Sequence, residues 1–434
     1  MPPPDWLITT GEDFVIFSAG ILYSVLPDTG TGDAETKEII TLASSNPARI
    51  LSEILAFNNT NSRYTIKVTE YSEDDIDRLL TQMTAGNTPD IFHYSMGDLF
   101  TRELSSSKLG AAGYLTDLYR FLDSDKELDR LSFQANILDA AAEGDRLYEL
   151  PYRFWIDTVA GSASVLGPEA GRTFDEMRAK LEDLSFRGYL FGPGLIREIV
   201  LELALFYNMS EYIDWSSGVC RFDSAEFREL LEFVRLYAPE SNNANTENEL
   251  YSIKNGNQLL MRQKVGAKNF LQVFDFFFGD SVFIGFPTSA GVGNSIVYDG
   301  SFSVSSATKN AEAAWSFIRE FYTPEHYEAE GFFVVPINAD ALEIYCGIVE
   351  EGGKIGAGAE WEDGFTIEFG DTTENDVRRI RELIASLDRV YRVDSTVFDI
   401  VWEDAQPFFC GDKSVDEVTA IIQSRIKLYV SEQR

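Results

Sequence analysis

Histidine and cysteine are almost missing from this sequence. In 434 residues there are two histidines, His93 and His326, and three cysteines, Cys220, Cys346 and Cys410. A His-based metal centre or a Ser-His-Asp triad is nearly excluded by that inventory, because one imidazole would have to do everything. No cysteine pair has CxxC spacing, so no zinc or redox motif is signalled, and three distant thiols build no disulfide framework. Basic residues are scarce as well: 36 Lys and Arg stand against 71 Asp and Glu, a net charge of -35. That balance argues against nucleic acid, which needs a basic footprint, and against docking on anionic lipid. The apolar run Phe14–Leu26 is too short for a bilayer, which takes ~20 residues, and Gly20 splits it into two strand-like pieces. The opening Met-Pro-Pro-Pro-Asp lacks a basic region, and no small-residue cleavage site or lipid-acceptor cysteine follows, so no export signal is read. Gly291-Val-Gly293 and Gly356-Ala-Gly358 complete neither a phosphate loop nor GxGxxG, and both read as loops.

What is present is ample apolar and aromatic material. Hydrophobic residues make up 44% and charged residues 25%, globular proportions that exclude disorder. The length exceeds one ordinary core and predicts two lobes or two to three domains. Aromatic residues reach 13%, most of them needed for core; a surplus of Tyr and Trp also suits stacking on flat ligands.

Strand and helix periods alternate along the chain, the signature of an α/β fold. Residues 37–43 read as a strand, then Ser44, Ser45 and Asn46 as a loop, with Asn46 as cap and Pro47 opening a helix. Residues 64–69 alternate as a strand. Ile76, Leu79, Leu80 and Met83 have helical spacing, and Gly86 ends that helix. Residues 89–94 form a short buried strand. Residues 37–94 are therefore predicted as β-α-β-α-β with a parallel sheet. Helices are predicted over 195–207 and 224–237, the latter capped by Asp223. Thr173 to Glu176 and Ser414 to Glu417 are capping boxes.

Five segments then resemble one family. They are Leu79–Ile91 (LLTQMTAGNTPDI), Leu147–Pro151 (LYELP), the stretch Ile284–Trp315 containing IGFPT and SFSVSSATKNAEAAW, Phe333–Asn338 (FVVPIN) and Gly411–Tyr429 (GDKSVDEVTAIIQSRIKLY). In this order and spacing they resemble the extracellular solute-binding proteins of sugar importers, the group that includes maltose-binding protein. The resemblance covers Lys37 to Glu432. It implies an α/β, two-lobed periplasmic-binding-protein-like fold of type 2, each lobe a mostly parallel sheet flanked by helices, joined by three hinge crossings. Lobe one would hold 37–151 plus 303–333, and lobe two 156–298 plus 337–434. Residues 1–36 would be a β remnant or linker, the end of a preceding domain.

The resemblance also implies a function: a monomeric receptor, anchored outside the cell as a lipoprotein, that closes on a carbohydrate and passes it to the permease subunits of an ABC importer. No cofactor and no metal is implied. Sugar recognition needs flat rings and a few polar groups. At positions matching the family's ligand loops stand Ser44 and Ser45 after the first strand, Tyr94 at the end of the third, and Tyr152 and Trp155 at the first crossing. Asn269 and Phe270, Tyr298 and Asp299 before the return strand, and Phe398 and Trp402 one helical turn apart complete the set. Each has a plainer reading as loop, turn or core. Arg153, Phe191 and the Phe274–Phe278 run are weaker candidates. His93 alternates away from Tyr94 and reads as structural; His326 reads as solvated in a helix's first turn. Paired acids at Glu360–Asp363 and Glu403-Asp404 read as solvated faces rather than a glycosidase pair. A surface glycan sensor or tethering module and, behind it, a carbohydrate-active enzyme stay open as alternatives.

Overall fold

The computed structural model describes residues 6–10, 13–18, 21–25, 37–95, 104–240, 248–266, 270–289, 293–330, 334–350, 359–360, 366–367 and 370–433. Asn269 lies outside these residues. The chain separates into two compact units: unit 1 is Met1–Arg130, Ala142–Tyr152 and Asp299–His326, and unit 2 is Leu131–Ala141, Arg153–Tyr298 and Tyr327–Arg434.

Sixteen strands follow in chain order among the described residues. They are β1 Trp6–Thr10, β2 Asp13–Ser18, β3 Ile21–Val25, β4 Glu38–Ser44, β5 Tyr64–Glu70, β6 Ile91–Ser95, β7 Leu150–Ser162 and β8 Ile213–Asp214. Then come β9 Val219–Cys220, β10 Met261–Val265, β11 Ser281–Phe283, β12 Ser295–Val304, β13 Val335–Pro336, β14 Ala359–Glu360, β15 Thr366–Ile367 and β16 Arg389–Val390.

In unit 1, β4 lies between β5 and β6 and runs parallel to both. The helix Leu51–Thr60 carries the chain from β4 to β5, and Ile76–Thr84 carries it from β5 to β6. This is the predicted β-α-β-α-β. Alternation explains it: Ile40 and Leu42 of β4, and Ile66 and Val68 of β5, point into the core. The helix Ile76–Thr84 buries Ile76, Leu79 and Met83 on one stripe and stops where Gly86 takes φ +84. The returning half of β12 pairs antiparallel with β6. On the far edge, β1, β2 and β3 form an antiparallel meander, and β3 pairs with β5 through Ile21 and Thr69. The first strands therefore extend the sheet of unit 1.

In unit 2, β10, β11 and β13 all pair antiparallel with β7, and β16 pairs parallel with the first residues of β12. Helices 197–212, 225–237, 395–409 and 415–432 supply much of its core. The capping boxes at Thr173 and Ser414 both form, and a third forms at Thr373 with Asp376. The helix 225–237 is capped by Ser224, whose hydroxyl accepts from the Phe227 N–H, rather than by Asp223. A serine one residue nearer the helix reaches the third amide directly.

Strand β7 runs unbroken for 13 residues. Its alternation is strict around the crossing: Tyr152, Phe154 and Ile156 are buried, while Arg153 and Trp155 are partly exposed. The five aromatic or β-branched side chains between Tyr152 and Thr158 favour one extended stretch.

Candidate functional site

Open parallel sheets bind ligands beyond the carboxyl ends of their strands, at the point where the strand order reverses. In unit 1 that point is the gap between β4 and β6, since β4 connects outward to β5. Ser44, Ser45 and Ser95 stand at these strand ends. Ser44 is fully buried; its Oγ lies 2.8 Å from His93 Nδ1 and accepts the Asn46 N–H at 3.1 Å. The Ser45 hydroxyl is buried without a hydrogen-bond partner among the described residues. Buried polar atoms are almost always satisfied by protein or by something bound.

Beside them, the short turn Pro47–Ile50 lifts Arg49 over the strand ends. Its guanidinium meets the Asp299 carboxylate in a forked pair, at 3.3 and 3.2 Å, and also donates to Ser95 Oγ at 3.3 Å. The Arg49 side chain is 32% exposed and that of Asp299 only 3%. Asp299 thus holds an arginine whose remaining N–H donors can face solvent.

Tyr94 takes a different position. It is buried in an apolar cluster with Phe92, Leu104, Leu109 and Tyr148. Burial pushes its hydroxyl well above the usual range, and the Glu149 charge adds to this. Tyr152 is buried too, among His93, Phe302, Phe321 and His326. His326 is not solvated: its side chain is only 12% exposed, and its ring packs on Phe321. The local helix start suggested solvent, but Phe321 of the preceding helical turn and Tyr152 of β7 cover the ring.

Unit 2 assembles a second group, most of which the sequence reading passed over. Directly paired residues of antiparallel strands share a face. The register sets Asp157 of β7 opposite Lys264 of β10, and Val159 opposite Arg262. One step on, the Trp155 ring lies over Gly266, where a Cβ would come within 2.8 Å of it. One face therefore carries Trp155, Asp157, Lys264 and Arg262 in a row. Asp157 is fully buried and receives Arg262 and the Tyr207 hydroxyl; Arg262 Nε also donates to the Tyr207 oxygen at 3.2 Å. Burial raises the Asp157 carboxyl above its usual range, while Arg262, Tyr207 and Lys264 pull it part of the way back. Burial also lowers the Lys264 ammonium.

The Arg262 guanidinium stands 5.8 Å from both the Tyr207 and Tyr391 rings, which meet edge to face at 5.2 Å. Tyr391 continues through Phe206 to Phe398, which stacks on Trp402 at 6.4 Å. The predicted pair Phe398 and Trp402 thus joins the same aromatic chain, both rings half-buried. Phe191 stacks on Phe286 in the core. Tyr298 is half-buried at the end of unit 2, and Phe270 opens the helix Phe270–Phe278. Of the row on β7 and β10 only Trp155 is a candidate from the sequence. The others have no local signal, because the pairing that gives them meaning joins residues far apart: 105 residues separate Asp157 from Arg262.

A family model for bacterial extracellular solute-binding proteins matches residues 43–328. The chain belongs to this family. Solved structures of similar fold include the sugar-binding protein MalE of Xanthomonas citri, 14% identical, with TM-score 0.58, covering 92% of this chain and 98% of that one. The ABC substrate-binding protein Lmo0181 of Listeria monocytogenes, solved with cycloalternan, is 16% identical with TM-score 0.52, covering 91% and 99%. An extracellular solute-binding protein of Alicyclobacillus acidocaldarius is 12% identical with TM-score 0.53, covering 92% and 100%. No curated protein sequence matches. These likenesses establish a fold shared with two-lobed binding proteins, with residues 43–328 carrying the family's sequence pattern. No helix among the described residues is long and apolar enough to cross a membrane.

Proposed function

We propose that this family member captures a carbohydrate, of oligosaccharide size, outside the cell and delivers it to the permease of an ABC importer. The two units close on the solute, and the closed form is what the permease recognises. The observation that carries the reading is the row on β7 and β10. A tryptophan ring stands beside Lys264 and Arg262, combining an apolar face for sugar C–H groups with charged partners for hydroxyls, and the buried Asp157 holds Arg262 from behind. Ser45 and Arg49 supply polar groups from unit 1, with Asp299 and Ser95 holding Arg49 in place. Trp155, Tyr298, Phe398 and Trp402 are the rings assigned to solute. Asn269 and Phe270 stay as candidates from the sequence. Tyr94, Tyr152 and Ser44 are assigned to positions behind the contact surface, since all three are buried.

The role is binding without chemistry. Asp157, the buried carboxylate of the row, is already engaged by Arg262 and Tyr207 and has no free proton to give. The protein works as a monomer tethered at the cell surface as a lipoprotein, with permease subunits as its partners.

Thermal unfolding against a panel of mono- and oligosaccharides, with amino acids and polyamines as controls, tests this. A ligand of the native state at 100 times its Kd adds ~2.7 kcal/mol. A shift of several degrees from one saccharide class, with the saccharide recovered unchanged, is expected. A shift from controls alone, or product formation, refutes it.

A further inference from the structure

The chain passes between the units five times, and at the last three of these crossings the unit 1 residues next to unit 2 are Tyr152, Asp299 and His326. All three are tied to one ten-residue segment, Ser44 to Glu53, that leaves the end of β4. Ser44 Oγ lies 2.8 Å from His93 Nδ1, and His93 Nε2 lies 3.3 Å from the Tyr152 hydroxyl. Arg49 holds Asp299 through its forked pair. Glu53 Oε1 lies 3.8 Å from His326 Nδ1. Two of the attachments touch, the Tyr152 ring packing on His326 at 6.3 Å, and Gly300, next to Asp299, lies so close beneath Tyr152 that a Cβ would stand 2.1 Å from its hydroxyl.

We propose that Ser44–Glu53 is a hinge clamp, a positioning element that grips the chain at the last three of its five crossings while presenting Ser45 and Arg49 to the solute. The inference rests on the receptor reading above, in which the loop after β4 touches solute. A solute that draws Ser45 or Arg49 toward itself then acts on Asp299 directly, on Tyr152 through Ser44 and His93, and on His326 through the helix that begins at Leu51. The physical requirement is a packed set of groups that moves as one. Ser44, His93, Tyr152 and Asp299 meet it, being almost entirely buried, so none can shift without displacing its neighbours.

The test uses the full chain without solute. Spin labels go on the native, exposed Cys410 of unit 2 and on Thr60→Cys of unit 1, with Cys220→Ser to leave one reactive site in each. Ser44→Ala, Arg49→Gln and Glu53→Gln are compared with Tyr71→Phe, which removes a tyrosine hydroxyl of the same unit that donates to Gln82 at 3.0 Å. Each clamp variant is expected to speed hydrogen exchange at its own crossing about tenfold, the factor for one lost net hydrogen bond. The crossings are read in peptides around 152, 299 and 326. The clamp variants also broaden the distance distribution between the labels; Tyr71→Phe does neither. Faster exchange with an unchanged distance distribution would mean a merely local role and overturns the clamp, as would no change in either. If Arg49→Gln does not fold, Ser44→Ala and Glu53→Gln carry the same comparison. Broadening in a protein that binds no saccharide refutes the receptor reading alone; saccharide binding without broadening refutes the clamp alone.

Discussion

Replacing Arg262 with methionine should expose how the row in unit 2 is held together. Asp157 has no solvent exposure, so its charge depends on Arg262 and the Tyr207 hydroxyl. Taking away one partner of a buried pair leaves an uncompensated charge and costs about 3–5 kcal/mol. In a unit of this size each kcal/mol moves the Tm by about 2 °C, so the expected loss is about 6–10 °C at pH 7. The pH dependence has a definite sign. The Asp157 carboxyl is already raised in the folded protein, so the folded state binds more protons than the unfolded one above the usual carboxylate range. Stability from this group therefore falls as pH rises through the raised value. Without Arg262 the value rises further, and the deficit against the parent should shrink as pH falls from 7 to 5. Adding Asp157→Asn should restore much of the loss, because a neutral amide needs no counter-charge. Differential scanning calorimetry of both single variants and the double reads all three effects. A single variant within 2 °C of the parent, with no recovery at pH 5, would refute the claim that Arg262 sustains a buried carboxylate.

Trp155→Ala should weaken binding of any saccharide that stabilises the protein by about tenfold or more, with little change in the unliganded Tm; titration calorimetry checks it, and unchanged affinity removes Trp155 from the solute face. Gly300→Ala should cost about 1–3 kcal/mol in urea unfolding, since the new Cβ falls on the Tyr152 ring. Although burial pushes Asp125 up, hydrogen bonds from Arg319, Trp315 and two backbone amides hold it at about 2. Its contribution is present above the ordinary carboxylate range and is lost as pH falls toward 2, so Asp125→Asn should flatten the acid limb of the stability profile. With a net charge of -35 the folded chain repels itself, and raising NaCl from 0.01 to 1 M, which shortens the screening length from ~30 to ~3 Å, should raise the Tm.

Much of the fold was legible because its signals are local. Alternation named β4, β5 and β6; a stripe of Ile76, Leu79 and Met83 named a helix; Gly86 ended it; Thr173 and Ser414 with their glutamates marked two helix starts. Each depends on residues within one or two turns, so the sequence carries the whole cause. The family resemblance was legible for the same reason, as short segments in a fixed order. Phe398 and Trp402 were rightly set on one face because four residues make about one helical turn.

The site was only partly legible. Tyr152 follows Pro151 at a crossing and reads from sequence as a solute contact, but the alternation of β7 turns it inward and leaves Trp155 outward. His326 sits in a helix's first turn, yet Phe321 and Tyr152 cover it. Arg49, Arg262, Lys264, Tyr207 and Tyr391 carry no local mark at all.

Sequence alone determined which segments become strands and helices, the acidity that argues against nucleic acid, and the family. Tertiary structure decided which strand lies beside which. That choice put Lys264 opposite Asp157, Arg49 on Asp299 and His93 between Ser44 and Tyr152. The reason is range: periodicity is set by neighbours along the chain, whereas these partners are selected by burial and register across separations from 49 to 250 residues.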